Sequence, residues 1–302
     1  MQTALARPVE APGELSLPGG RRLSFITFGA AGDPLVVVLD GPGSRGLARA
    51  AAPAALELGL RLVAPDRPGF GATTQAGRPI AAWPEDHAAL LDHLGVERAG
   101  VFGQSGGTPY ALAVGAALPQ RTVAISLAGA VAPLDNPGSA GELGSDLRVA
   151  TRLARRAPWL LRFMLGRVAR SARKDPEAFS RKAHKSLPPA DLAVLEAPEL
   201  RDLDRVATQE ILGRPEAVAA EIGLLAGPWG LDLASFPVPV AFWSGDRDTR
   251  HPTAQSRRLA RLLGGGEVHV VEEAATFGLL PVYPDALRFA AGMTEACKHP
   301  GA

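Results

Sequence analysis

The chain has 302 residues, of which 46% are apolar and 21% are charged, and its formal net charge is +1. This length and composition allow one large core, with or without an inserted subdomain, and exclude a disordered chain. The near-neutral balance gives no reason to expect nucleic acid or another bulk polyanion as a partner, so function must reside in local sites.

Cysteine usage and hydropathy bear on the compartment. Cys297 is the single cysteine, which excludes an intrachain disulfide and suits a reducing compartment. No apolar run approaches the ~20 residues of a membrane span. Residues 1–12 lack the apolar core of a signal peptide. We therefore expect a cytoplasmic protein without a membrane span.

Apolar patterning predicts strands alternating with helices in the first part of the chain. Residues 13–29 alternate like a β-hairpin around Pro18-Gly19-Gly20. Continuous apolar runs then mark strands that are covered on both faces. Strands separated by helices at this spacing predict a parallel sheet with right-handed crossovers. The predicted strands lie at 35–39, 61–65, 98–104 and 122–129, and the predicted helices lie at 44–58, 83–94 and 109–118.

The alternation breaks after residue 131, and strand signals return only at Val238 to Trp243. The apolar spacing of the intervening residues is helical, which predicts a lid inserted between two strands. The expected organisation is a first core part at 1–133, a helical lid at 134–236 and a second core part at 237–302. The second part is predicted to contain a helix at 253–263, a strand at 267–271 and a last helix at about 284–295.

The predicted lid contains a basic amphipathic stretch between Arg148 and Lys174. Such a stretch could meet a membrane surface, a carrier protein or an acidic cofactor. The interpretation we favour is the solvated face of a lid helix whose apolar face covers a pocket.

The most informative segment is Gly103-Gln104-Ser105-Gly106-Gly107, between a strand and a helix. A serine flanked by glycines at a strand-to-helix turn is typical of a nucleophile elbow, which holds the serine in a strained conformation with its Oγ exposed. The N–H of Gly106 is then placed at the helix N-terminus, where it can meet a developing oxyanion.

These residues resemble the α/β-hydrolase superfamily from Leu15 to Glu295, and in particular its small-molecule hydrolases with a helical cap. The resemblance implies an α/β fold with a mostly parallel sheet of about eight strands flanked by helices, and an inserted helical lid. It implies Ser105 as nucleophile, Asp248 as the acid of a triad, and the N–H groups of Gly106 and Gly41 as oxyanion donors. The segments that carry it are VFGQSGGTPYALA, APDRPGFG and PWGLDLASFPVPVAFWSGDRD.

The histidine of the resembled triad is missing from its usual place. The family has a glycine-histidine pair in the loop after the last strand, where this chain reads EEAATFGLL, so Thr276 occupies the histidine position. A threonine hydroxyl cannot act as a base at neutral pH. Loss of a triad member costs on the order of a million-fold in rate, so we expect ordinary ester hydrolysis to be nearly absent.

Other histidines are expected to have structural or solvent roles. His251 is the strongest candidate for a substitute base, but it follows Asp248 by only three residues, which is too close along the loop to bridge Asp248 to Ser105 easily. Asp248 is then expected to pair with a neighbouring arginine, Arg247 or Arg250. The histidines that we set aside are His87, His93, His184, His269 and His299.

Asp40 is the second departure from the family pattern. It lies in Leu39-Asp40-Gly41-Pro42-Gly43, where the family has a histidine-glycine pair, and it aligns with either member of that pair. A carboxylate near a developing oxyanion opposes acyl transfer, whereas under an apolar lid its pKa can rise so that it serves as a general acid or base. The alternative is a loop residue that caps the helix at 44–58.

The nucleophile elbow is intact, but the chain departs from the family pattern at Thr276 and at Asp40. Together these two departures favour a non-hydrolytic enzyme. We expect a cyclase, isomerase or lyase that acts on a small apolar carbonyl compound in secondary metabolism, with Asp40 moving a proton and Ser105, Gly106 and Gly41 binding an oxygen. Gln104 and Thr276 complete the expected substrate-binding set. The alternatives are a serine ester hydrolase with a rescuing base such as His251, and an inactive ligand-binding protein. No metal or cofactor is expected, and the expected partners are a small-molecule substrate and a possible second copy of the chain.

Overall fold

A computed structural model describes residues 9–293 except 76, 137 and 186. Its centre is an eight-stranded sheet with the order β1-β2-β4-β3-β5-β6-β7-β8. The β1–β2 and β2–β4 pairs are antiparallel, and the pairs from β4 through β8 are parallel. The strands are β1 Ala11–Leu17, β2 Arg21–Phe28, β3 Leu35–Leu39, β4 Arg61–Pro65, β5 Ala99–Gln104, β6 Thr122–Ala128, β7 Val240–Gly245 and β8 Glu267–Val271.

Helices cover both faces of the sheet. Alternate residues of β3 enter different cores, with Val37 on one face and Val36 and Val38 on the other, because side chains along a strand alternate in direction. The first core is completed by α2, α3 and α11, and the second by α1 and α12. These helices are α1 Arg45–Glu57, α2 Trp83–His93, α3 Thr108–Ala117, α11 Thr253–Leu262 and α12 Tyr283–Ala290.

The predicted α/β fold is therefore confirmed, with a mostly parallel sheet of eight strands. In the described part of the chain, the segment between β6 and β7 is helical, as its apolar spacing predicts. Its helices are α4 Ser139–Glu142, α5 Ser145–Arg156, α6 Pro158–Lys174, α7 Pro176–His184, α8 Pro189–Val194, α9 Pro198–Leu212 and α10 Pro215–Ala226. Cys297 and His299 lie outside the described residues.

No described helix combines the length and the apolar character that crossing a bilayer requires.

A buried ion pair attaches the inserted helices to the core. Arg67, in the loop after β4, donates from Nε to Glu221 Oε1 of α10 at 2.9 Å, and both side chains are buried. Arg67 also donates to the hydroxyl of Ser44 at 3.1 Å and lies over the ring of Tyr110. The preceding residue, Asp66, pairs with Arg45. Through these three contacts the Arg67 side chain connects its loop to α10, to the residue before α1 and to α3.

Glu221→Ala is expected to lower the free energy of unfolding by about 3 kcal/mol, because it leaves the guanidinium of Arg67 buried without its carboxylate. The measurement is urea-induced unfolding monitored by circular dichroism. Glu216→Ala, at an exposed position of the same helix, is the matched control and should change stability by less than about 0.5 kcal/mol. Equal effects of the two substitutions would show that the ion pair contributes nothing specific.

Candidate functional site

Ser105 follows directly after β5, on a sharp turn into α3. Its φ is 48°, a left-handed conformation that non-glycine residues seldom adopt and that marks a strained functional turn. Glycines on either side make this turn possible. A Cβ on Gly107 would lie 2.0 Å from the carbonyl oxygen of Leu39, and a Cβ on Gly103 would lie 2.9 Å from Leu127 Cδ2. The geometry expected from the glycine-flanked serine is present.

The Ser105 hydroxyl has an imidazole partner. Ser105 Oγ lies 2.8 Å from His251 Nε2, within hydrogen-bond range, and His251 is buried. The expectation that His251 is too close to Asp248 to reach Ser105 is therefore wrong, and so is the inference that the serine lacks a base.

The loop after β7 explains how His251 reaches the serine. Asp248 Oδ1 accepts the N–H groups of both Arg250 and His251 at 2.8 Å, which closes a tight turn of the Asx type. The carboxyl ends of β5, β6 and β7 lie side by side in the sheet. Gly129 follows directly after β6, and a Cβ on this residue would lie 3.7 Å from His251 Nδ1. The turn thus directs His251 across the end of β6 to Ser105.

Asp248 lies beside the second nitrogen of the same imidazole. His251 Nδ1 is 3.6 Å from Asp248 Oδ2, which is longer than a hydrogen bond, and among the described residues this nitrogen has no hydrogen-bond partner. Burial raises the pKa of Asp248, but the neighbouring His251, its backbone N–H and the Thr276 hydroxyl outweigh burial and bring the pKa to about 2. Asp248 is therefore ionised and places a negative charge beside the His251 ring.

Asp248 does not pair with an arginine side chain, contrary to expectation. The guanidinium of Arg247 pairs with Glu273, and that of Arg250 pairs with Asp146 at 2.7 Å. Both acidic partners are exposed and lie away from the serine turn. The acid thus remains available to the imidazole.

Thr276 occupies the position where the resembled family has its histidine. Its Oγ1 donates to Asp248 Oδ2 at 2.9 Å. Asp248 is consequently held from two sides, by backbone N–H groups on Oδ1 and by the threonine hydroxyl on Oδ2. Thr276 therefore binds the carboxylate of Asp248, whereas the imidazole beside Ser105 comes from His251 in the loop after β7.

Asp40 and Gly41 form the other wall of the serine turn. Their backbone passes so close to the turn that a Cβ on Gly41 would lie 2.6 Å from Gly106 Cα. The N–H of Gly41 donates to Asp40 Oδ1 at 2.8 Å. The expectation that this N–H is available to a substrate oxygen is therefore not met, because the Asp40 side chain already accepts it.

Asp40 does not cap α1, which was the alternative for it. The N-cap residue is Ser44, whose hydroxyl accepts the N–H of Asp40 at 3.3 Å. The Asp40 carboxyl instead lines the cavity above Ser105. Burial raises its pKa to about 7 against the opposing effects of the Gly41 N–H and the Arg67 charge. At neutral pH the carboxyl is thus divided between its neutral and ionised forms.

Gln104 also lines the cavity, and its Oε1 accepts the hydroxyl of Tyr283 at 2.9 Å. Sequence reasoning missed Tyr283, which begins α12, because no motif surrounds it. It also missed Asp191 of α8, whose buried carboxylate accepts the N–H groups of Phe277 and Gly278 at 2.7 and 3.2 Å. Asp191 thereby ties the inserted helices to the loop that carries Thr276.

The cavity has a volume of about 540 Å³ and lies between the carboxyl ends of the strands and α9. Most of its charged lining residues are paired. The pairs are Asp66 with Arg45, Asp204 with His184, Glu210 with Arg49 and Arg250 with Asp146. Within the described chain, neither the Asp40 carboxyl nor the guanidinium of Arg214, another lining residue, makes an ion pair. A bound molecule therefore meets one unpaired group of each kind. The apolar lining comes from Leu47, Phe70, Leu200, Leu203, Ile211 and Phe277.

The remaining described histidines do not approach Ser105. His87 is buried in α2, where burial lowers its pKa to about 3. His184 pairs with Asp204 at 2.9 Å, and the ring of His269 stacks on Trp243. Their structural roles are as expected. Among the described residues, no group of three His, Cys, Asp or Glu side chains is arranged to hold a metal ion.

Comparisons with known proteins agree with this architecture. The family model described as the alpha/beta hydrolase fold matches residues 33–280. An uncharacterized hydrolase of Bacillus subtilis strain 168, YcgS, is 29% identical over 138 residues, and these cover 41% of this chain and 48% of that protein. The chain therefore matches about half the length of this relative.

Solved structures extend the likeness over almost the whole chain. An alpha/beta hydrolase fold protein from Nakamurella multipartita is 23% identical, with 93% of this chain and 100% of that chain covered and a TM-score of 0.66. A hydrolase from Pseudomonas aeruginosa PA01 is 21% identical, with 92% and 97% covered and a TM-score of 0.66. At these identities the likeness shows the fold alone.

Proposed function

Because the chain belongs to the α/β-hydrolase family, we propose that it is a serine hydrolase that cleaves carboxylic esters through an acyl-serine intermediate. The observation that carries the proposal is the 2.8 Å distance between Ser105 Oγ and His251 Nε2. A nucleophile and a base within hydrogen-bond reach, with an orienting acid behind the base, form the arrangement that acyl transfer requires.

In the proposed reaction, Ser105 Oγ attacks the ester carbonyl carbon while His251 Nε2 takes its proton. The imidazolium then gives this proton to the leaving alkoxide as the carbon–oxygen bond breaks, which leaves the acyl group on Ser105. Water attacks the acyl carbon with His251 as base. The bond between the acyl carbon and Ser105 Oγ then breaks, the imidazolium returns its proton to Oγ, and the carboxylic acid leaves. Asp248 stabilises the imidazolium through its nearby negative charge, since a pKa of about 2 keeps its carboxylate ionised at neutral pH.

The oxyanion is proposed to form between the N–H of Gly106 and the Asp40 carboxyl. Gly106 stands at the first turn before α3, where the backbone donors favour negative charge. An ionised Asp40 would repel the oxyanion, whereas a neutral Asp40 can donate its O–H, a role that carboxylic acids fill when an apolar site keeps them protonated. The pKa of about 7 supports the neutral form in weakly acidic solution.

The substrate class follows from the lining of the cavity. A volume of about 540 Å³ suits a small molecule, and the apolar side chains from α9 and the loops favour an apolar acyl or alcohol group. The Asp40 carboxyl and the Arg214 guanidinium both lack an ion-pair partner in the described chain, so their opposite charges favour neither an anionic nor a cationic substrate. We therefore propose uncharged small-molecule esters.

Covalent labelling tests the proposal. A fluorophosphonate probe should label Ser105 within minutes at micromolar concentration, and peptide mapping by mass spectrometry should place the adduct on this residue. Ser105→Ala should not be labelled, while Ser244→Ala, at a buried serine of β7 that bonds to Ser256, should be labelled like the unmodified protein. Absence of an adduct on Ser105 would contradict an acyl-serine mechanism.

A second candidate is proton transfer without hydrolysis, as in a cyclase, isomerase or lyase of secondary metabolism. Its premise of a missing base no longer stands, but the cavity carboxyl of Asp40, with its pKa of about 7, still favours this chemistry. Turnover in H₂¹⁸O separates the two, because hydrolysis places ¹⁸O in the acid product and isomerisation does not. Recovery of an unchanged, tightly bound ligand would indicate the third possibility, a binding protein.

A further inference from the structure

Positive charge is concentrated in α5 and α6, the two helices that directly follow α4. From Leu147 to Lys174 the chain has eight arginines, one lysine and no acidic residue, although the whole chain has a net charge of only +1. In the described part of the chain, none of these nine cations forms an ion pair. A solvated helix face normally intersperses both signs, so this run is unusual for a surface with no partner.

Large apolar side chains lie exposed among these cations. On α6, Trp159 is 69% exposed, Phe163 is 55% exposed and Met164 is 44% exposed. Trp159 and Phe163 are four residues apart and therefore share one side of the helix. The guanidinium of Arg167 lies over the Phe163 ring, 6.0 Å from its centroid.

The opposite sides of both helices are buried in the protein. Leu161, Ala169 and Ala172 of α6 and Thr151 of α5 are buried, and both helices pack against α10. Their other sides consequently face outward, away from the cavity and the sheet. We call the outward set the α5–α6 surface; it consists of Val149, Arg152, Arg155, Arg156, Trp159, Arg162, Phe163, Met164, Arg167, Arg170, Arg173 and Lys174.

We propose that the α5–α6 surface docks on the anionic phospholipids of a bilayer. Basic amphipathic helices with tryptophan and phenylalanine lie in the interface of such bilayers, with apolar side chains among the acyl chains and cations at the phosphates. An acidic protein or a nucleic acid would neutralise the cations without requiring the exposed Trp159, Phe163 and Met164. A bilayer accommodates both features at once, and the proposal does not depend on the chemistry at Ser105.

Sedimentation with vesicles tests the docking. The full chain should sediment with vesicles of phosphatidylcholine and phosphatidylglycerol in a 2:1 ratio, and not with pure phosphatidylcholine. Trp159 provides a second readout, because the other tryptophans, Trp83, Trp229 and Trp243, are buried. Anionic vesicles should therefore protect the protein's fluorescence from acrylamide quenching, and Trp159→Phe should lose this protection.

Charge variants test the specificity of the surface. Each cation near an anionic bilayer contributes about fivefold to the partition coefficient, so Arg155→Gln, Arg167→Gln and Arg170→Gln together should lower vesicle binding about 100-fold. Arg257→Gln, at an exposed arginine of α11, is the matched control and should bind within about twofold of the unmodified chain.

Three results would overturn the proposal. They are equal binding to neutral and anionic vesicles, unchanged binding by the triple glutamine variant, and binding to heparin or RNA without any binding to anionic vesicles.

Discussion

Replacement of His251 by alanine is expected to lower kcat for ester cleavage by about 10⁴- to 10⁶-fold, because among the described side chains only His251 forms a hydrogen bond with the Ser105 hydroxyl. Thr276 cannot substitute, since its hydroxyl is not a base at neutral pH. Hydrolysis of a p-nitrophenyl ester by the purified variant measures the loss, and circular dichroism checks the fold. His93→Ala, at an exposed histidine of α2, is the control and should retain activity.

A second variant tests whether position 276 can carry the base. Thr276 Oγ1 is 2.9 Å from Asp248 Oδ2, so a histidine placed there starts beside the same ionised carboxylate. The double variant His251→Ala, Thr276→His should therefore have a kcat at least about tenfold higher than that of His251→Ala alone. If His251→Ala alone keeps more than a tenth of the original kcat, the imidazole is not the base and the proposed mechanism fails.

Asp40→Asn is expected to change the pH dependence of kcat/KM. The pKa of Asp40 is raised to about 7 by burial, so its carboxyl is neutral below pH 7 and ionised above it. The ionised form places a negative charge beside the developing oxyanion, and kcat/KM should fall by up to about tenfold per pH unit above pH 7. An asparagine cannot ionise, so the variant should keep a flat profile in that range.

Rate profiles between pH 5.5 and 9 on an uncharged ester give the measurement. Asp33→Asn, at a carboxylate in the surface loop before β3, is the matched control and should keep the alkaline fall. An alkaline fall that persists in Asp40→Asn would exclude Asp40 as its cause. A loss of turnover by the same large factor at every pH would instead assign Asp40 an obligatory proton transfer and favour the non-hydrolytic candidate.

The two predictions concern opposite walls of one cavity and separate their contributions. In the proposed mechanism His251 takes the proton of the nucleophile, so its loss should lower the rate throughout the pH range. In the same mechanism Asp40 lies beside the oxygen of the substrate, so its replacement by asparagine should matter only where the carboxyl is ionised. Fluorophosphonate labelling of Asp40→Asn should consequently persist, whereas that of His251→Ala should be slow.

Local patterns in the sequence determined most of the fold. Continuous apolar runs at β3 to β7 required burial on both faces, and helical spacing between them required crossovers, so the parallel sheet followed from elementary packing. The turn at Ser105 was predicted from a local motif, a serine flanked by glycines between a strand and a helix. The tertiary structure supplies the reason for the glycines, since a Cβ at Gly103 or Gly107 would clash with Leu127 or with the Leu39 carbonyl. The boundaries assigned to the lid, 134 and 236, remain predictions.

Only the tertiary structure decided which imidazole serves Ser105 and what Asp40 contacts. His251 and Ser105 are 146 residues apart, and their contact depends on a turn closed by Asp248 and on the neighbouring ends of β5, β6 and β7. Spacing along a chain does not reveal where a loop projects a side chain, because a single Asx turn redirects it by several ångströms. For the same reason the bonds from Gly41 to Asp40 and from Thr276 to Asp248 depend on backbone paths that a sequence motif does not specify.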